Sequence, residues 1–113
     1  MKKGRILGGV VFGALAGLGI GVYAAEPHPS DTFLQYCARC HGEDGKAQTP
    51  KGQKLKAQNF TDTDWQEHQT NEELIKVVTE GGMDMPAFGK KLSTEQIESL
   101  VKNDVRGFAK KKE

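Results

Sequence analysis

Cys37-Ala38-Arg39-Cys40-His41 constrains this chain more than any other stretch: two thiols two residues apart, with an imidazole directly after. Three chemistries use such a pair. A structural zinc site needs a second ligand pair of comparable spacing, and no further cysteine exists in the sequence. A thioredoxin-like redox pair sits in a βαβ context, and no strand-like alternation surrounds Cys37. The third chemistry is covalent haem attachment, in which both sulfurs become thioethers on the porphyrin edge and His41 is carried under the iron as an axial ligand. The spacing has a mechanical reason. Positions 37, 40 and 41 lie three and four residues apart, so one helical turn presents all three to one flat macrocycle.

The composition of the chain asks for such a group. Hydrophobic residues make up 36% of the 113 residues, but they crowd into the first 24, leaving about 30% in residues 25–113. An 89-residue domain this poor in apolar side chains is marginal as bare polypeptide, so a non-protein body is expected to complete its core. The length allows one small domain and excludes a multi-domain enzyme. A formal net charge of +1 lacks the basic excess of a nucleic-acid binder.

Residues 1–24 read as a targeting element. A basic start, Met1-Lys2-Lys3-Gly4-Arg5, precedes the 18 uncharged residues Ile6–Tyr23, and Val22-Tyr23-Ala24 supplies small residues where a signal peptidase reads them. A cleaved secretory signal is one expectation; an uncleaved membrane anchor is the other, since a tilted helix of that length just spans a bilayer. Six glycines within the run weigh against the anchor. Either way the positive charges stay in the cytoplasm and residues 25–113 are exported, to the periplasm or an equivalent compartment. Without the three leading cations the remainder carries 13 basic and 15 acidic side chains.

A second signal lies 44 residues after His41, in Gly81-Gly82-Met83-Asp84-Met85-Pro86-Ala87-Phe88-Gly89. A methionine thioether is a soft ligand able to close the sixth position of a haem iron, and it raises the potential relative to a second histidine. Pro86 fixes the backbone after Met85, and the glycines let the chain approach a ring closely. Taken with the Cys-x-x-Cys-His turn, this stretch resembles the ligand loop of a class I c-type cytochrome, of the small bacterial monohaem kind with a Met-Pro-Ala-Phe loop. The resemblance covers nearly all of residues 30–109. It implies one haem c held through Cys37 and Cys40, with His41 and Met85, not Met83, on the iron. It also implies an all-α cytochrome c fold, three main helices plus loops around the haem, with the first and last helices crossing.

The remaining pattern suits that fold. Ser30 or Asp31 caps a helix running through Phe33, Leu34 and Tyr36 to about Cys40. Phe33 stands where similar cytochromes place an aromatic that packs on the final helix. Thr70-Asn71-Glu72-Glu73 and Ser93-Thr94-Glu95-Gln96 read as capping boxes. The first opens a helix ended by Gly81-Gly82, and the second opens one with an apolar stripe at Ile97, Leu100, Val101, Val105 and Phe108. One departure stands out. Similar cytochromes carry an aromatic midway along the last helix, where this chain has Lys102-Asn103-Asp104 and an alignment one residue long; Phe108 is the candidate substitute.

Residues 42–69 form a long loop around the expected haem, with Phe60 and Trp65 as its walls and the Trp65 indole N–H as a donor to a propionate. Similar proteins use a loop carbonyl to accept the proton on the second nitrogen of the axial histidine, and Pro50 is the candidate here. His28 and His68 read as surface histidines. With both axial positions filled, no substrate reaches the iron, and the expected function is non-enzymatic: an exported carrier moving one electron between larger redox protein partners. Lys54, Lys56, Lys90 and Lys91 are candidates for a basic docking rim. The alternative is a membrane-tethered cytochrome module of a respiratory redox complex.

Overall fold

The computed structural model describes residues 29–109, so the targeting segment, His28 and the terminal lysines lie outside the described residues. Helix α1 is Asp31–Tyr36, and Ser30 caps it, its hydroxyl accepting the Phe33 N–H at 3.1 Å. The expected single helix to Cys40 is instead two. Cys37, at φ −116°, ends α1 by donating to the Phe33 carbonyl and opens helix α2, Ala38–His41, by accepting from His41 at 3.0 Å and Cys40 at 3.2 Å. The kink at Cys37 starts a fresh turn, and Gly42, at φ 82°, ends it.

The segment expected as loop contains two short helices. Helix α3, Pro50–Leu55, starts at a Thr49 cap with Pro50 in its first turn and stops at Lys56, which is left-handed. The Thr49 hydroxyl also reaches the carbonyls of Arg39 and Cys40, at 2.8 and 3.0 Å, stitching α3 to α2. A Cβ at Gly52 would stand 2.1 Å from the Cys40 carbonyl oxygen, so the contact admits only glycine. Helix α4, Thr63–Glu67, is capped by Asp62. Helix α5, Asn71–Glu80, has the full Thr70–Glu73 capping box and ends at Gly81, as the sequence predicts.

The last helix begins with the Ser93–Gln96 capping box and runs as α6, Thr94–Ser99. It then widens into a π-helical segment, Leu100–Val105, and closes as α7, Arg106–Ala109. Arg106 N–H donates to Val101, five residues back, in place of the usual four. A π turn accommodates one extra residue within a helix, the device that the one-residue departure implied by the resemblance calls for. The predicted stripe is buried throughout: Ile97, Leu100, Val101, Val105 and Phe108 join Phe33, Phe60, Leu74, Phe88 and Leu92 in one core. Phe33 and Val101 are its most enclosed side chains.

Phe33 packs on the final helix as expected, its ring 5.2 Å from that of Phe108. Phe108 also lies 6.0 Å from Phe60, and it rests on Gly45, where a Cβ would come within 2.6–2.8 Å of the ring. Phe108 therefore carries the aromatic contact between the first and last helices, one turn later than the resemblance suggests. The described residues are helices and loops, with a lone antiparallel bridge between Gly82 and Met85.

Candidate functional site

The break at Cys37 sets the geometry of the site. Cys37, Cys40 and His41 occupy one turn, all three half-buried, and both thiols are free. Cys37 borders the hydrophobic core. Its thiol is pushed up to about 12, first by burial, then by the negative charge of Asp104, then by Cys40.

The His41 ring lies flat against Phe60, centroids 4.3 Å apart and planes 17° from parallel. Its Nδ1 sits 3.0 Å from the Gln58 carbonyl oxygen. A carbonyl only accepts, so Nδ1 carries the proton and Nε2 keeps its lone pair. Burial holds the imidazole below its ordinary pKa, and the hydrogen bond to Gln58 opposes that shift without cancelling it. His41 is thus a neutral, oriented nitrogen donor. The predicted acceptor, Pro50, is not the one used: it lies exposed in the first turn of α3, and Gln58 from the same loop takes the role.

The strand of loop behind His41 is fixed by a polar network. The buried Gln66 amide donates to the carbonyls of Phe60 and Val105, both at 2.8 Å. Arg106 donates to the Gln66 backbone and side-chain oxygens at 2.7 and 2.8 Å, to Asn71 at 2.8 Å, and to the Gln69 carbonyl. The last helix therefore holds Phe60, and through it the face of the imidazole.

Met85 is presented by a tight turn. Gly82 N–H donates to the Met85 carbonyl at 3.0 Å, and Met85 N–H returns the bond at 2.8 Å, leaving Met83 and Asp84 at the tip. Gly81 is required there: at φ 74°, a Cβ would lie 2.7 Å from the Met85 carbonyl oxygen. Phe88 and Gly89 N–H bond back to Val78 and Thr79 of α5, tying down the far end of the loop. The two methionines are treated differently. Met83 is 103% exposed and left-handed at φ 51°, whereas Met85 is half-buried and packed on the core that Cys37 also borders.

Trp65 is half-buried, 5.7 Å from Phe60. Lys54, Lys56, Lys90 and Lys91 are exposed, with the Lys91 ammonium 5.8 Å from the centre of the Phe88 ring. His68 is exposed, its Nδ1 2.7 Å from the Asp64 carbonyl oxygen. Sequence reasoning missed Gln58, which acts through its backbone, and the buried polar residues Gln66 and Asp104. Asp104 had a readable sign, since it falls seven residues after Ile97, on the apolar stripe itself.

Two thiols and an imidazole on one turn, a thioether from a clamped loop, and a helical fold whose first and last helices meet through Phe33 and Phe108 describe a c-type cytochrome. The profile of the family described as cytochrome c oxidase, cbb3-type, subunit III matches residues 24–102. The cbb3-type cytochrome c oxidase subunit FixP of Azorhizobium caulinodans is 34% identical over 89 residues, which cover 78% of this chain and 29% of that one. Among solved structures, the KustC0563 c-type cytochrome superposes with a TM-score of 0.65 at 40% identity, covering 70% of this chain and 94% of that chain. A mutant form of the same cytochrome gives 0.63 at 41% identity, covering 68% and 93%. The chain belongs to the subunit III family of cbb3-type cytochrome c oxidases, and its domain is a c-type cytochrome that implies haem c and electron transfer.

Proposed function

We propose that this protein is an exported carrier of single electrons, with one haem c joined through Cys37 and Cys40 and its iron bound by His41 and Met85. The observation that carries the reading is the state of His41: neutral, flat against Phe60, its Nδ1–H engaged by Gln58 and its Nε2 lone pair left for a metal. The donor set fits the group, for an imidazole and a thioether suit low-spin iron, and two thiols one turn apart suit a macrocycle edge. When bound, the haem supplies a reversible one-electron change. The chain's own part would be to hold the His41 and Met85 donors so that little moves between the two oxidation states. The polar network through Gln66 and Arg106 fixes one side, and the paired bonds of Gly82 and Met85 fix the other.

Residues 1–24 are proposed as the export signal and 25–113 as the cytochrome domain. Among the described residues no helix is long and apolar enough to cross a membrane. The likeness to the KustC0563 c-type cytochrome, 94% of which this chain covers, supports a c-type cytochrome domain, on which the carrier reading builds. A second reading rests on the family description and on FixP, of whose length the chain spans less than a third: a cytochrome module tethered to a membrane complex. The two readings predict different fractions. A carrier is recovered in the soluble extract with its N-terminus cut near Ala25; a tethered module stays in membranes with Met1–Ala24 attached.

Ligation is tested on the purified holoprotein by optical spectra of both oxidation states. The sulfur-to-iron charge-transfer band is expected in the ferric protein and is expected to vanish in Met85→Ala. A variant that keeps the band would overturn the assignment of Met85, and Met83→Ala, which is expected to keep it, is the control.

A further inference from the structure

The last helix carries one buried carboxylate, Asp104, in the middle of the π-helical segment and on the face that packs against α1. A charged side chain in such a position is costly unless it is satisfied. Here both oxygens are used at one place: Oδ1 accepts the Ser30 N–H at 2.8 Å and Oδ2 accepts the Ser30 hydroxyl at 2.7 Å. The same hydroxyl oxygen accepts from Phe33, so a single serine caps α1 and anchors it to the last helix. Ser30, Phe33 and Cys37 follow one another on one face of α1, and Cys37 senses the Asp104 charge. The carboxylate is held by two neutral donors, which orient its charge without cancelling it.

We propose that Asp104 is a positioning residue that also sets the reduction potential of the cytochrome, by fixing a buried negative charge on the face of α1 that leads from Ser30 to Cys37. This rests on the haem reading above. Oxidised iron carries one more positive charge than reduced iron, so a fixed anion in a poorly screened interior favours the oxidised form and holds the potential down. An aromatic packed at this crossing would join the helices without any such field. The chain thus uses one residue both to lock the crossing and to bias the redox equilibrium.

The test uses the holoprotein and redox titration. Asp104→Asn preserves the shape, can still accept from the Ser30 N–H, and loses the charge. At a poise that leaves the parent half reduced, its reduced-to-oxidised ratio is expected to rise at least about threefold, as for removal of one buried, poorly screened charge. Ser30→Ala removes the hydroxyl donor and keeps the carboxylate, now less compensated; it is expected to lower stability and to leave the ratio unchanged or reduced. A merely structural role would move both variants the same way. An unchanged or lower ratio in Asp104→Asn, or a rise in Ser30→Ala equal to that of Asp104→Asn, would overturn the proposal. Recording the charge-transfer band on each variant separates this from failure of the ligand assignment, which would show in the parent as well.

Discussion

Phe108 and Gly45 offer a direct test of how the crossing is closed. A methyl group added at Gly45 would come within 2.6–2.8 Å of the Phe108 ring, on a backbone at φ 74°. Gly45→Ala should therefore cost about 1 kcal/mol for the left-handed backbone and about 1–3 kcal/mol more for overpacking. Phe108→Ala removes a ring that is only 4% exposed and in contact with Phe33 and Phe60, at about 3–5 kcal/mol. The informative quantity is the pair. Once the ring is gone, the methyl has room, and only the backbone term remains, so the double variant should be more stable than the sum of the single losses by about 1–3 kcal/mol. The assay is urea unfolding of the haem-loaded protein near 10–20 °C, where domains of this kind are most stable. Strict additivity, within a few tenths of a kcal/mol, would refute the claim that Phe108 sits on Gly45 and closes the crossing.

Other expected outcomes follow from local features. Thr70→Ala and Ser93→Ala each remove the acceptor of a capping box and should cost about 1 kcal/mol apiece, additively, lowering Tm by about 4–8 °C each in calorimetry of a domain this size; losses of a few tenths would contradict the caps. The haem-free chain should be most stable in a window between its histidine and thiol transitions. The folded pKa of His41 is depressed below 6.5, so the unfolded chain binds the extra proton first and stability falls as pH drops through that value. The folded pKa of Cys37 is raised from 9.0 to about 12, so the unfolded chain loses its proton first and stability falls as pH climbs past 9. Urea midpoints measured across pH 5–10 check both arms, and His41→Gln should flatten the acid arm alone.

Much of this molecule is legible in its residues because its chemistry sits in side chains at fixed spacing. Cys37, Cys40 and His41 announce one turn, Thr70 and Ser93 announce the helices they cap, and the stripe from Ile97 to Phe108 is buried as its period requires. What escaped reading is of a different kind. Helices α3 and α4 are only six and five residues long, too short for a period to show, and exist through the caps of Thr49 and Asp62. The acceptor for His41 is a backbone carbonyl, and backbone groups carry no residue signature, so Gln58 could not be told from Pro50. The split at Cys37 and the π turn at Leu100–Val105 are tertiary accommodations: one makes Cys37 both the end of α1 and the start of α2, the other widens the last helix while keeping Asp104 and Phe108 inward.

Everything proposed for this chain depends on a porphyrin joined to Cys37 and Cys40. The measurement closest to it is the intact mass of the exported protein under denaturing conditions, followed by thiol titration. The mass of one haem retained on the chain and no reactive thiol are expected. A chain of unmodified mass with two titratable sulfhydryls would contradict it.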